Sequence, residues 1–208
     1  MVKAPEAVNV PRAGMRIYFA GASGVIGSRL LPLLVEAGHT VGAMTRSAEK
    51  AGRLASMGAQ PIVCDVFDRS ALTSAVRSFS PDLLLHELTD LPDDLDNLPE
   101  ESLLNARIRL EGTRNLLDAL ESVEQTKIVA QSVAWTMRPG PEADAVASLE
   151  EAVLAANGVV LRYGLLYGPG TYYERELPAA PRVHIDTAAA RTLDALDAPP
   201  GILTIVDN

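Results

Sequence analysis

Gly21-Ala22-Ser23-Gly24-Val25-Ile26-Gly27 decides the fold, because of what stands on either side of it. Before it runs Arg16-Ile17-Tyr18-Phe19-Ala20, a short apolar run with strand character. After it, Val25 to Ala37 reads as a helix, with Gly38 placed to close it. A glycine-rich turn between a strand and a helix leaves backbone N–H groups uncovered by side chains. A pyrophosphate can then approach closely, and the start of the helix adds free donors and partial positive charge. Gly27 would let the helix pack tightly. The spacing departs by one position from G-x-G-x-x-G, and the alternative for such a turn is one that holds no ligand.

Downstream the same alternation continues. Thr40 to Thr45 reads as a second strand and Ala48 to Met57 as a helix behind a Ser47 cap. Pro61 to Cys64, Asp82 to His86, Lys127 to Ala130, Val159 to Leu161 and Ile202 to Val206 read as further strands. Arg69 to Phe79, Glu101 to Ser122, Ala143 to Ala156 and Thr187 to Leu196 read as helices, the second with Gly112 inside it. This order predicts a Rossmann-type α/β fold, a doubly wound and mostly parallel sheet with helices on both faces. Residues 1–14 read as a loose N-terminal leader, and 15–170 as the nucleotide-binding domain.

Bulk properties narrow the class. The chain has 208 residues, 48% of them hydrophobic and 22% charged, which is an ordinary globular balance. Only 4% are aromatic, so the core must be aliphatic, as suits helices packed on a parallel sheet. A formal net charge of −9 repels phosphate backbones and argues against a nucleic-acid partner. It does not exclude a dinucleotide held by local N–H groups and an arginine. The one cysteine, Cys64, fits a reducing cytoplasm. His39, His86 and His184 show no metal-ligand spacing, and no apolar run reaches the ~20 residues of a membrane helix.

The end of the second strand chooses the cofactor. An acid there would bind a ribose 2′-OH, whereas an arginine favours a 2′-phosphate. The chain reads Ala43-Met44-Thr45-Arg46-Ser47, so Arg46 is a candidate phosphate clamp and NADP(H) is favoured over NAD(H). The plain alternative is a solvated surface arginine. Asp65, at the carboxyl end of the third strand, could accept from an adenine amino group or serve as a cap or turn residue. Asp93-Asp94-Leu95-Asp96 reads as a solvated loop, His86 as a packed or cofactor-wall residue, and Trp135 as core in preference to cleft.

Several ordered motifs carry a resemblance. The glycine stretch, Cys64-Asp65-Val66-Phe67-Asp68, Glu111-Gly112-Thr113-Arg114-Asn115-Leu116-Leu117-Asp118-Ala119 and Leu161-Arg162-Tyr163-Gly164-Leu165-Leu166-Tyr167-Gly168-Pro169-Gly170 resemble the NAD(P)-dependent epimerase/dehydratase family. That family is the extended and atypical branch of the short-chain dehydrogenase/reductases. The resemblance implies that Gly21, Ser23, Gly24, Val25, Ile26 and Gly27 hold the pyrophosphate and that Asp65 and Val66 contact adenine. It implies that Tyr163 lies near the nicotinamide, and that Ser132 is the catalytic serine binding a substrate oxygen. Ser132 also reads as a strand-end serine satisfied by backbone. Long helices corresponding to Glu101–Ser122 and Ala143–Ala156 imply a homodimer.

Two departures from the family bear on activity. Its Tyr-x-x-x-Lys pair, in which the lysine lowers the tyrosine pKa, has no counterpart in Glu142 to Glu151. Tyr163, Tyr167, Tyr172 and Tyr173 are the tyrosines that could act from elsewhere. Residues 171–208 leave room only for a reduced C-terminal substrate lobe. Two functions follow as expectations. One is hydride transfer at a carbinol or carbonyl carbon of a small molecule, for which the resemblance implies a sugar-like substrate. The other is a non-catalytic NADP(H)-binding sensor or assembly subunit.

Overall fold

The structure, a computed structural model, describes residues 14–91, 98–123 and 125–207. Residues 1–13 of the expected leader and the acidic stretch Asp93–Asp96 lie outside the described residues. Nine strands and seven α-helices follow one another: β1 (Arg16–Ala20), α1 (Gly27–Glu36), β2 (Thr40–Thr45), α2 (Ala48–Ser56), β3 (Gln60–Val63), α3 (Arg69–Phe79), β4 (Leu83–His86), α4 (Leu98–Arg107), α5 (Thr113–Leu120), β5 (Lys127–Val133), α6 (Pro141–Ala155), β6 (Val159–Tyr163), β7 (Leu165–Tyr167), β8 (Arg182–His184), α7 (Ile185–Ala195) and β9 (Gly201–Ile205), as counted among the described residues.

Seven strands form one sheet in the order β3-β2-β1-β4-β5-β6-β9, and every pairing in it is parallel. The fold class is as the sequence predicts. Successive residues of a strand point to opposite faces, so a sheet covered on both sides needs apolar residues at every position. Ile17 and Phe19 enter one core with Leu30, Leu31 and Leu34 of α1 and Ala188 and Ala189 of α7. Tyr18 and Ala20 enter the other with Leu72 and Val76 of α3, Leu116 of α5 and Leu149 and Val153 of α6. The central strands β1 and β4 therefore read as mostly apolar runs, while the edge strands β3 and β9 are largely exposed.

Two strands extend beyond their expected ends. β5 continues through Gln131 and Ser132 to Val133, and β6 through Arg162 to Tyr163, because these residues pair with each other across the ladder. Ser132 thus lies within a strand and opposite Arg162. The two-stranded sheet of β7 and β8 is too short to show as an apolar run. Between α4 and α5 the helix widens into a π-helical turn over Ile108–Gly112, so the single helix expected around Gly112 is continuous but irregular. Such turns shift the register of the side chains that follow, and recur at functional sites.

Candidate functional site

The carboxyl ends of β1, β2, β4, β5 and β6 open onto a cleft of about 1340 Å³. The chain leaves β1 to one side and β4 to the other, which is the switch point where open α/β sheets bind ligands. Gly21, Ser23, Gly24, Val25, Ile26, Gly27, Arg46, Val66, Ser132 and Tyr163 all line this cleft, so the structure gathers ten of the residues singled out from sequence. Asp65 is not among them.

At one end the wall is backbone. Gly21 has φ +102, and a Cβ there would lie 2.5 Å from the Glu87 carbonyl. A Cβ on Gly27 would collide with the Gly21 oxygen and lie 2.6 Å from the Ala22 carbonyl. Only glycine fits either place, so the turn packs against β4 on one side and the start of α1 on the other. The Gly24 N–H closes the turn on the Gly21 carbonyl at 3.0 Å. α1 begins with no side-chain cap and no acid in its first turn, leaving its N-terminal donors and positive end unopposed.

Beside the turn, Arg46 follows β2 and pairs with Asp90 at 3.1 Å, with its side chain 54% exposed. A pair this exposed contributes little stability, so its guanidinium remains exchangeable. Ser47 caps α2 as expected, accepting the Lys50 N–H at 3.3 Å. That cap directs α2 so that Lys50 and Arg53 join Arg46 on the cleft wall. Sequence reasoning missed both, although their spacing on one helix after Arg46 carried the signal. Asp65 accepts the Phe67 N–H at 2.9 Å in a tight turn, and the cap of α3 is Asp68, which accepts from Ala71 at 3.0 Å. Of the readings open for Asp65, the structure shows the turn.

The other end is built from side chains. Ser132 is buried and donates to Glu150 Oε1 on α6 at 2.5 Å. Glu150 in turn takes both arms of Arg162, at 2.9 and 2.5 Å. Burial alone would raise the Glu150 carboxyl, but the Arg162 guanidinium and the Ser132 hydroxyl outweigh it and hold it below the usual carboxylate range. The Ser132 hydrogen is therefore committed to an ionised partner, a side chain and not the backbone.

Next to this network stands a buried group that the sequence reading passed over. Glu87 directly follows β4, is 6% exposed and lines the cleft. Its Oε1 lies 3.0 Å from the Tyr163 hydroxyl, which lies 2.6 Å from the Thr192 hydroxyl of α7. Its Oε2 has no hydrogen-bond partner among the described residues. Burial pushes the Glu87 carboxyl up to about 8, against a smaller opposing effect of Tyr163. Burial, followed by the nearby Glu87, pushes the Tyr163 phenol well above its ordinary value. The rule that drew attention to Asp65, a carboxylate at the carboxyl end of a parallel strand, applies equally to Glu87.

Of the other tyrosines, Tyr167 donates to Asp207 at 2.8 Å outside the cleft wall, while Tyr172 and Tyr173 line it. Trp135 lines the cleft too, and corrects the expectation of core packing: it stands in the segment between β5 and α6 and is half-buried. His86 is fully buried, with Leu88 N–H on Nδ1 at 3.3 Å and Thr113 Oγ1 3.0 Å from Nε2. Burial, with Arg109 nearby, lowers its pKa to about 4, so it is a neutral packed residue. Arg109, buried at 8% exposure in the π-helical turn, also lines the cleft. Among the described residues no cluster could hold a metal, and no helix is long and apolar enough to cross a membrane.

A parallel sheet in this order, with a glycine turn feeding a helix at its switch point, defines a dinucleotide-binding Rossmann protein. The chain belongs to the NAD(P)H-binding family, whose model matches residues 21–158. It is similar to a 3-diazoavenalumate denitrifying reductase of a Streptomyces species, 38% identical over 192 residues, covering 81% of this chain and 62% of the relative. A 77-residue stretch is 40% identical to a 4-hydroxy-2-methyl-3-oxo-4-farnesyl-3,4-dihydroquinoline-1-oxide ketoreductase of Stigmatella aurantiaca, covering 29% of this chain and 23% of that one. The chain thus spans less than two thirds of either reductase. The UDP-glucose 4-epimerase of Thermus thermophilus, solved with NAD, superposes with TM-score 0.76 at 22% identity over 92% of this chain and 78% of its own. The fold is that of the epimerase/dehydratase enzymes, and the cofactor class is nicotinamide dinucleotide.

Proposed function

We propose that the chain binds NADP(H) in preference to NAD(H) and works with it as a cytoplasmic reductase of a small molecule. The observation that carries this reading is the continuity of one cleft, from the glycine turn and the Arg46, Lys50 and Arg53 cluster to Ser132, Tyr163 and Glu87. The glycine cradle fits the group, since Gly21 and Gly27 let the turn close on the backbone of Glu87 and Ala22, and the uncapped start of α1 leaves its N–H groups bare for a pyrophosphate. Gly21 to Gly27 would hold the pyrophosphate with the donors of α1. The adenine would lie against Val66, with Asp65 at the rim. Arg46 would leave Asp90 for a 2′-phosphate, which it can grip bidentately. Tyr163 would stand beside the nicotinamide.

When bound, the reduced nicotinamide supplies a hydride to a carbonyl carbon. Ser132 would orient the oxygen of the substrate. Its own hydrogen stays on Glu150, so Ser132 accepts from a bound hydroxyl and meets a carbonyl oxygen only if Glu150 turns to Arg162 alone. The two similar reductases support reduction as the direction. The acidic surface disfavours nucleic acid, and the lone buried thiol of Cys64 suits the cytoplasm. Exposed Leu103 and Leu110, on the helix expected to mediate pairing, support a homodimer, for which light scattering should return twice the monomer mass.

The test is NADPH consumption against a panel of small ketones and aldehydes. We expect turnover of at least one, lowered about 10²-fold or more in Ser132→Ala. Equal rates in the variant would remove Ser132 from the chemistry. A second reading, a dinucleotide-binding sensor without turnover, is favoured by α6, which carries Glu150 and neither tyrosine nor lysine. Tight NADPH binding with no turnover across the panel would select it.

A further inference from the structure

The hydrogens around Tyr163 can be counted. Three oxygen–oxygen contacts run in series: Glu87 Oε1 to Tyr163 Oη at 3.0 Å, Tyr163 Oη to Thr192 Oγ1 at 2.6 Å, and Thr192 Oγ1 to the Ala188 carbonyl at 2.7 Å. Each is of hydrogen-bond length, and each therefore needs one hydrogen between its oxygens. The two hydroxyls supply one each, and the Ala188 carbonyl supplies none. If Glu87 were a carboxylate, one contact would set lone pairs against each other inside a buried site. The third hydrogen must come from Glu87, so the series runs from a protonated Oε1 through Tyr163 and Thr192 to Ala188.

A second observation agrees. Glu87 Oε2 is buried with no partner among the described residues. A charged carboxylate with a bare buried oxygen loses far more solvation than the carbonyl oxygen of a neutral acid. Burial also raises the carboxyl to about 8. Glu87 donates its backbone N–H to Ala20 at 2.8 Å and its carbonyl touches Gly21, so it sits where the glycine turn meets the side-chain end of the cleft. The ionisable groups around it are Tyr163 from β6, neutral His86 beside it on β4, and Arg109 of the π-helical turn on the same cleft wall. Thr192 of α7 is not ionisable in this range.

We propose that Glu87 is stored as a neutral carboxylic acid in the cleft and is the proton donor that the missing Tyr-x-x-x-Lys pair leaves unassigned. The proposal rests on the reductase reading above. A substrate oxygen meets Oε2 once the Glu87 side chain turns that oxygen from its buried position toward the cleft. The carboxyl proton then occupies Oε2, Tyr163 turns its hydrogen to Oε1 and Thr192 turns its own to Tyr163, so that the contact given up is the one from Thr192 to the Ala188 carbonyl within α7. With a bound reduced nicotinamide supplying a hydride to the carbonyl carbon, an O–H bond would form at the substrate oxygen as the Glu87 Oε2–H bond breaks. The product is an alcohol, the dinucleotide is left oxidised, and the Glu87 carboxylate, steadied by Tyr163, regains its proton from water.

The test begins without turnover. Infrared difference spectra of the full chain should show a protonated carboxyl at neutral pH that disappears as pH rises through about 8 and is absent in Glu87→Gln. The side-chain amide of this variant offers a hydrogen to Tyr163, so the series of hydrogen bonds and the melting temperature at neutral pH should persist. That amide has no transferable proton. Adding NADP+ should shift the carboxyl band. No protonated carboxyl at neutral pH overturns the stored acid, and a band that ignores NADP+ overturns its place at the reacting end. For the carbonyl probes reduced by the wild type, Glu87→Gln should lower kcat about 10²-fold with the KM for NADPH unchanged. An equal kcat overturns the role. Failure of the wild type to bind NADPH or reduce any probe breaks the reductase reading instead, and leaves the infrared result standing.

Discussion

The two ends of the cleft are made of different material. The glycine-turn end is backbone: Gly21 and Gly27 admit no Cβ, and α1 presents an uncapped start. The β5–β6 end is side chain, with Ser132, Glu150 and Arg162 in one network and Glu87, Tyr163 and Thr192 in another. A backbone site tolerates few residue types and so writes itself into a contiguous stretch of sequence. A side-chain network depends on residues brought together by the fold, as when Tyr163 meets a carboxyl 76 positions away. The first kind specifies a cofactor common to a large family. The second can change one residue at a time, and in this chain α6 carries neither the family's tyrosine nor its lysine.

The sharpest way to break this comparison is at Gly21. Gly21→Ala meets the Glu87 carbonyl at 2.5 Å with φ at +102, so dinucleotide affinity should fall more than ~100-fold and stability by about 3 kcal/mol. Calorimetry and thermal melting read the two losses, and retention of affinity would mean that the turn does not form the site. A smaller effect belongs to the other end. Glu150→Ala leaves Ser132 and Arg162 without their partner and should cost about 2 kcal/mol in a denaturant titration. NADPH affinity should stay within about twofold, given additivity between separated sites. A loss as large as that of Gly21→Ala would show that the two ends do not act separately.

A third effect is graded with pH. The unfolded chain binds the His86 proton below about pH 6.5, whereas the folded chain binds it only near 4. Taken alone, His86 therefore makes stability fall as pH drops through that window, by up to about 1.4 kcal/mol per unit. Glu87 works in the opposite sense, since its folded pKa of about 8 exceeds the unfolded 4.5, and stability falls as pH rises between them. Between 4.5 and 6.5 the two oppose each other in the wild type, so melting curves of Glu87→Gln should lose the alkaline slope and show a steeper acidic one. Loss of both slopes together would mean that these neighbours titrate as one unit.

How much of this could be read from the letters follows the same division. β1, β2 and α3 have the bounds the sequence predicts, because the two strands are apolar runs and the helix has a helical apolar spacing stopped by Ser80-Pro81. β5 and β6 run past their expected ends since Gln131, Ser132 and Arg162 are polar yet paired across the ladder. Arg46 was legible from its place after β2, but its pairing with Asp90 was not, since Asp90 comes from a loop after another strand. Glu87 was hidden by the apolar strand before it, where a lone acid looks like a strand end meeting solvent. Nothing local to Glu150 signals that it bridges Ser132 and Arg162, which follows only from α6 lying over β5 and β6.

The central claim is that the backbone end of the cleft holds a 2′-phosphorylated nicotinamide dinucleotide, with Arg46 as the selecting group. Calorimetric titration of the chain with NADPH and with NADH, repeated on Arg46→Ala, tests it most directly. The account predicts tighter binding of NADPH, a loss of about tenfold or more for NADPH alone in the variant, and NADH affinity unchanged. Equal affinities in the wild type, or an equal loss for both nucleotides in the variant, would contradict it.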